Sequence, residues 1–158
     1  MAAGTWESYH AITTLMYRYA EYIDQADFAG IGTLFAHGAI TQPGVPGSIA
    51  GAEAVAALYR GTNQVHADGT LRTRHLTANP IVDIDETGDH ATARSYFVVF
   101  QATGHVPLQP IVAGRYRDRF TRVGGEWRFA ERAMHVEQIG DVSDHLAPHV
   151  LKLLARGH

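Results

Sequence analysis

The 158-residue chain contains no cysteine, which removes disulfides, thiolate metal ligands and cysteine nucleophiles together. No apolar run approaches the ~18 residues that a membrane-spanning helix needs. The opening MAAGTWESYH has no basic stretch followed by an apolar one, so a cytoplasmic protein without a membrane partner is expected. Charge of one sign is nowhere concentrated. With 13 Lys+Arg against 16 Asp+Glu, a formal charge of −3 and no block of like charge, the sequence offers no surface for nucleic acid. A Gly-rich phosphate loop, HExxH and GxSxG are also missing, which argues against nucleotide, zinc-protease and serine-hydrolase chemistry. There is no repeat of fixed period and no low-complexity linker. What remains is one domain over residues 1–158, 46% hydrophobic and 18% charged. A chain of this size buries about two thirds of its unfolded surface, enough for a core and an internal pocket for a small partner.

The N-terminal half has helical spacing. Ile12, Leu15, Met16, Tyr19 and Ile23 recur on one side of a helix over Ser8 to about Ile23, with Thr14, Arg18, Glu21 and Gln25 on the other. Asp27 then precedes a second stripe of Phe28, Ile31, Leu34 and Phe35, where an acid accepts hydrogen bonds from the first free amides of a helix. Gly30 and Gly32 weaken that helix. HGAITQPGVPGSIAG is expected to hold a short strand and turns, and AEAVAALYRG a third helix ending at Gly61.

The period then changes. Residues 79–104 and 111–139 are rich in β-branched and aromatic residues around turns at Glu86 to Asp89 and at Gly124-Gly125, and read as two antiparallel hairpins. The order α-α-β-α-β-β-β-β predicts an α+β fold: a curved antiparallel sheet packed on the N-terminal helices, with a cone-shaped cavity between them.

Two polar residues stand in apolar settings. At about 100° per residue, Asp24 falls on the margin of the first helix's apolar arc; alternatively the helix ends near Tyr22 and Asp24 is a loop residue. His75 lies just before the Asn79-Pro80 entrance to an apolar strand, in a chain with 10 histidines, and is either a structural or exposed side chain or one that points into the concave face. A neutral imidazole becomes a dependable base when a carboxylate holds one of its nitrogens, so the functional alternative needs a neighbour.

Tyr19, Asp24, Asp27 and the Leu-Phe pair in YRYAEYIDQADFAGIGTLFA, then Gly51, then His75 and Asn79 in RHLTANP, then GRYRDRFTRVGGEWRFAER, resemble a SnoaL-like domain of the nuclear transport factor 2-like superfamily. The resemblance runs from about Ile12 to Val136. It implies kinship with cofactor-free lyases: scytalone dehydratase, hexachlorocyclohexane dehydrochlorinase and bile-acid 7α-dehydratase. Their His–Asp pair carries over onto His75 and Asp24. The bile-acid enzyme's tyrosine carries over onto Tyr19, and the dehydrochlorinase's arginine onto Arg132. A tyrosine at position 19 follows the dehydratase pattern and favours a hydroxylated carbonyl compound over a halogenated one.

The implied reaction is a dehydration of a small polyketide-like or steroid-like substrate. Neutral His75 takes a proton, Asp24 orients the ring, Tyr19 donates to a carbonyl or leaving oxygen, and Arg132 anchors the substrate. No metal or organic cofactor is expected. A cyclase or isomerase using the same pair is the first alternative, and a non-catalytic subunit like the small subunits of ring-hydroxylating dioxygenases the second. Phe97 and Tyr116 are the expected pocket walls. Arg115, Arg117 and Arg119 alternate onto one solvated or interface face. Arg132 follows Phe129 by three positions, which plain alternation places on opposite faces, so its place in the pocket rests on the resemblance. Asp141, His145 and His149 are spaced four apart, but Pro148 breaks the helical ladder a metal face needs. PHVLKLLARGH reads as a short amphipathic helix. A homo-oligomer is expected, a trimer or a dimer.

Overall fold

The computed structural model describes residues 3–85 and 87–156. The helix α1 (Ala3–Asp24) is followed by α2 (Phe28–Leu34), β1 (Ala39–Thr41), β2 (Ile49–Ala50) and α3 (Ala52–Thr62). Four long strands come next, β3 (Thr73–Ile84), β4 (His90–Gln101), β5 (Gln109–Val123) and β6 (Glu126–Ile139), and then α4 (Pro148–Arg156). The strands form one open curved sheet in the order β2-β1-β6-β5-β4-β3. The long strands are antiparallel, and the short β1 adds a parallel pair with β6.

Helix α1 starts five residues earlier than Ser8 because periodicity reports only burial. Trp6 in its exposed first turns meets Tyr9 instead of the core. Its apolar face, with Ile12 and Met16 fully buried and Tyr19 nearly so, lies across β3 and β6. Two strands, not one, occupy the Gly/Pro-rich segment, since β1 and β2 pair with each other as a minimal hairpin. Helix α3 passes through Gly61 and is closed by Asn63, whose Nδ2 donates back to the Tyr59 carbonyl. The Glu86 position of the expected turn lies outside the described residues.

Asp27 caps α2: its side chain accepts a 2.8 Å hydrogen bond from the Gly30 amide. The glycines of α2 have steric reasons to be there. A Cβ on Gly32 would come within 2.5 Å of the Ala52 carbonyl oxygen, so glycine lets α2 and α3 pack backbone to backbone. Asp27→Ala is expected to cost about 1 kcal/mol, which thermal melting reads as a fall of about 2–4 °C.

Two irregularities set the inner face of the sheet. In β6, Phe129 pairs with Phe120 and Glu131 with Arg119, leaving Ala130 as the extra residue of a bulge. The bulge turns both Phe129 and Arg132 inward, where each is fully buried. In β3 the pairing with β4 slips between Ala78 and Ile81. Asn79 there takes a positive φ of 53°, and Pro80 needs no ladder partner at a slip on an edge strand. The strand thus begins at Thr73 and runs through Asn79-Pro80, so His75 sits within it and not ahead of it.

Candidate active site

Helix α1 continues to Asp24, which is its last residue. A helix C-terminus disfavours a carboxylate, so an acid held there needs donors from elsewhere. The start of β3 supplies three. Asp24 Oδ1 accepts from Thr73 Oγ1 at 2.7 Å and from His75 Nδ1 at 2.6 Å, and Oδ2 accepts from the His75 amide at 3.0 Å. The Asp24 carbonyl receives the Leu71 amide at 3.3 Å, which ties the helix end to the strand. Ala26 and Arg72, on either side of this junction, adopt positive φ values of 56° and 53°, a cost the surrounding contacts carry.

Burial pushes the Asp24 carboxyl upward, but the hydrogen bond and charge of the His75 ring, then Thr73 and the His75 amide, outweigh it and hold the acid below its ordinary value. An ionised carboxylate only accepts, so Nδ1 of His75 carries the hydrogen and Nε2 presents its lone pair when the ring is neutral. Among the described residues Nε2 has no hydrogen-bond partner, and the side chain is 7% exposed.

Tyr19, Arg132, Tyr116 and Phe97 gather in a second cluster. Arg132 is fully buried in a two-pronged pair with Asp118, Nε to Oδ1 at 2.9 Å and Nη2 to Oδ2 at 2.8 Å. Its guanidinium lies 3.9 Å from the Tyr116 ring centre and 4.3 Å from that of Tyr19. Burial opposes the charge on Arg132, and Asp118 more than restores it. The third nitrogen, Nη1, has no partner among the described residues. The Tyr19 hydroxyl is 2.6 Å from that of Tyr59, and burial raises both phenols. Phe97 stacks on Tyr116 at 4.4 Å.

The two clusters occupy one inner face. His75 pairs with Val99, and Arg132 pairs with Asp118, which pairs with Ala93. Val99 and Ala93 are six residues apart, about 20 Å along the strand. Phe97 and Tyr116 lie along the interval. Arg115, Arg117 and Arg119 lie exposed on the other face, with Arg115 and Arg119 paired to Glu137 and Glu131. Tyr116 also borders a hollow of about 270 Å³ on that outer side, together with Asn79, Tyr96 and Arg115.

Two functional candidates escaped the sequence reading. Asp118 shares its inward register with Tyr116 and Phe120, and a buried acid in that position demands a cation; that alternation was the available signal. His145 stands in the four-residue spacing with Asp141 and His149, which points to a metal face and not to His75. It is 7% exposed, and its ring stands 6.5 Å from that of His75. Asp141 instead accepts from Ser143, and His149 is exposed in α4. Among the described residues no three metal-ligating side chains come together.

Burial, and next the nearby His75, lower the His145 pKa to about 4 from an ordinary 6.5. Between those values the unfolded chain binds a proton that the folded chain refuses, so this contribution to stability falls as pH drops. The melting temperature is therefore expected to decline from pH 6.5 toward 4, and His145→Gln to flatten that slope.

The curved, unclosed sheet packed on the N-terminal helices is the nuclear transport factor 2-like, cystatin-like architecture. The chain belongs to the SnoaL-like domain family, whose model matches residues 4–133. A variant of Rv3472, a protein of unknown function from Mycobacterium tuberculosis, is 30% identical with a TM-score of 0.70, covering 89% of this chain and 76% of that one. A nuclear transport factor 2-like protein with a cystatin-like fold from Novosphingobium aromaticivorans is 26% identical with a TM-score of 0.70, covering 89% and 88%. A candidate scytalone dehydratase from the same organism shares the fold at 21% identity, with a TM-score of 0.70 and coverage of 89% and 91%. No protein of curated function matches the chain. Among the described residues no helix is long and apolar enough to cross a membrane.

Proposed function

We propose that the chain is a cofactor-independent lyase that removes water from a hydroxylated carbonyl compound, with His75 as the base and Asp24 as its orienting partner. The observation that carries this reading is the 2.6 Å hydrogen bond from His75 Nδ1 to Asp24, which leaves Nε2 without a partner among the described residues. Neutral His75 takes the proton from the carbon beside the carbonyl, and Asp24 stabilises the imidazolium that forms. The carbon–oxygen bond at the next carbon breaks, and the departing hydroxide recovers the proton from His75 as water. Family membership supports the class, and the candidate scytalone dehydratase supports it through its fold.

Tyr19 and Arg132 enter this reading beside the pair, since Tyr19 stands five residues before Asp24 on α1 and the Arg132 guanidinium lies 4.3 Å from its ring centre. The compound they serve is fused-ring, polyketide-like or steroid-like. Nη1 of Arg132 and the Tyr19 hydroxyl are the donors for an oxygen of that compound. Phe97 and Tyr116 are the pocket walls. A cyclase or isomerase would begin with the same proton abstraction.

The test is water loss from a panel of fused-ring β-hydroxy ketones, starting with 3-hydroxy-1-tetralone, whose product 1-naphthol is read by absorbance. Wild type is expected to accelerate it, and His75→Ala and Asp24→Asn to lose most of that acceleration. Equal rates in all three would remove both residues from the mechanism.

A further inference from the structure

The segment Gly140 to Ala147, between β6 and α4, is fastened at several points. The Asp144 carbonyl accepts from His66 Nε2 at 2.9 Å and from Gln101 Nε2 at 3.0 Å, and its carboxylate accepts from Thr103 Oγ1 at 2.5 Å. The Gln64 amide donates to the His145 carbonyl at 2.9 Å, and the Ala147 amide to the Thr62 carbonyl at 2.9 Å. These bonds fix the backbone on both sides of His145, yet its ring is left unserved at one nitrogen: Nδ1 is buried and, among the described residues, has no hydrogen-bond partner.

A polar atom buried in this way costs about 1–3 kcal/mol, and such atoms are rare enough to need a reason. The position supplies one. The His145 ring stands 6.5 Å centre to centre from the ring of His75, tilted by 55°. Two imidazoles at that separation are too far apart to bond each other, and each is within reach of a group lying against both.

We infer that His145 is a further catalytic residue, whose neutral imidazole donates a hydrogen bond to the substrate carbonyl oxygen beside the carbon that His75 deprotonates. As the proton passes from that carbon to His75 Nε2, the electron pair moves onto the carbonyl oxygen, and the His145 N–H holds the resulting enolate. The pair then returns to expel the β-hydroxyl, which leaves as water with the proton from His75. His145 neither gains nor loses a proton over the cycle. A donor fixed before the reaction and shielded from water is most effective where charge develops. A neutral ring also does not repel the imidazolium forming at His75.

This inference rests on the proposed dehydration, and the experiment separates the two. The rate of 1-naphthol formation from 3-hydroxy-1-tetralone, and the melting temperature, are measured for wild type, His75→Ala, His145→Phe and His145→Gln. His145→Phe is expected to lower kcat by about 100-fold while keeping or raising the melting temperature, because it removes an unpaired polar atom. His145→Gln, which restores a donor, is expected to recover part of kcat. If His75→Ala is inactive but His145→Phe matches wild type, the role of His145 is overturned and the dehydration stands. A fall in kcat that only follows lost stability in both His145 variants also overturns it. If wild type does not accelerate the reaction over buffer, or His75→Ala matches it, the dehydration itself fails, and this inference with it.

Discussion

Arg132→Met is expected to destabilise the protein by about 3–5 kcal/mol, because it leaves the Asp118 carboxylate buried without its cation. For a chain of this size that is a fall of roughly 6–20 °C in melting temperature. Both residues are essentially inaccessible, Arg132 at 0% and Asp118 at 2% exposure, and their two-pronged pair is roofed by Tyr19 and Tyr116. The cost lies chiefly in the orphaned charge and not in the pair itself. The double change Arg132→Met with Asp118→Leu is therefore expected to recover most of the loss, since replacing a buried pair with apolar side chains is often close to neutral. Chemical denaturation of the two single variants and the double variant measures the coupling directly. A double variant as unstable as the sum of the singles would refute this account of the pair.

Much of this architecture was legible from residue pattern. The stripe Ile12, Met16, Tyr19, Ile23 specified α1 and its buried face because helix packing writes itself at that spacing. Asp27 specified its cap, and the two hairpins followed from alternation and turn residues. Illegible were features that depend on one irregular residue. Alternation puts Phe129 and Arg132 on opposite faces, and only the bulge at Ala130 brings them together. An alanine carries no mark of a bulge. Asn79-Pro80 looked like the start of a strand because proline lacks an amide; it is a slip inside an edge strand that tolerates the loss. The exposed start of α1 was invisible for a different reason, as it has no buried face to leave a period.

The site divides along the same line. Asp24 was readable as an acid at the edge of an apolar arc, and the resemblance supplied His75 as its counterpart. That they hydrogen-bond follows from the junction of α1 with β3, a contact across 51 positions that no local pattern encodes. His145 approaches His75 from a segment still further along the chain, and its four-residue spacing from Asp141 and His149 carries no sign of that meeting.

The second large effect concerns activity. His75→Ala is expected to reduce kcat by about 100- to 10,000-fold, the ordinary contribution of a positioned general base. Asp24→Asn keeps the shape but gives up the charge that steadies the imidazolium and the acceptor that selects the Nδ1–H tautomer, so its loss is of the same order. Because Asp24 acts through the His75 ring, the double change is expected to be little worse than His75→Ala alone. Fully multiplicative losses would mean the two residues act independently.

The most direct measurement follows the proton itself. In deuterated water, NMR reads exchange of the hydrogens beside the carbonyl of 1-tetralone, a ketone with no β-hydroxyl to lose. This isolates abstraction at carbon from whatever step comes next. Wild type is expected to accelerate that exchange well above buffer, and His75→Ala to return it to the buffer rate. Exchange at the same rate with wild type and His75→Ala would contradict the account, because His75 would then not be the base.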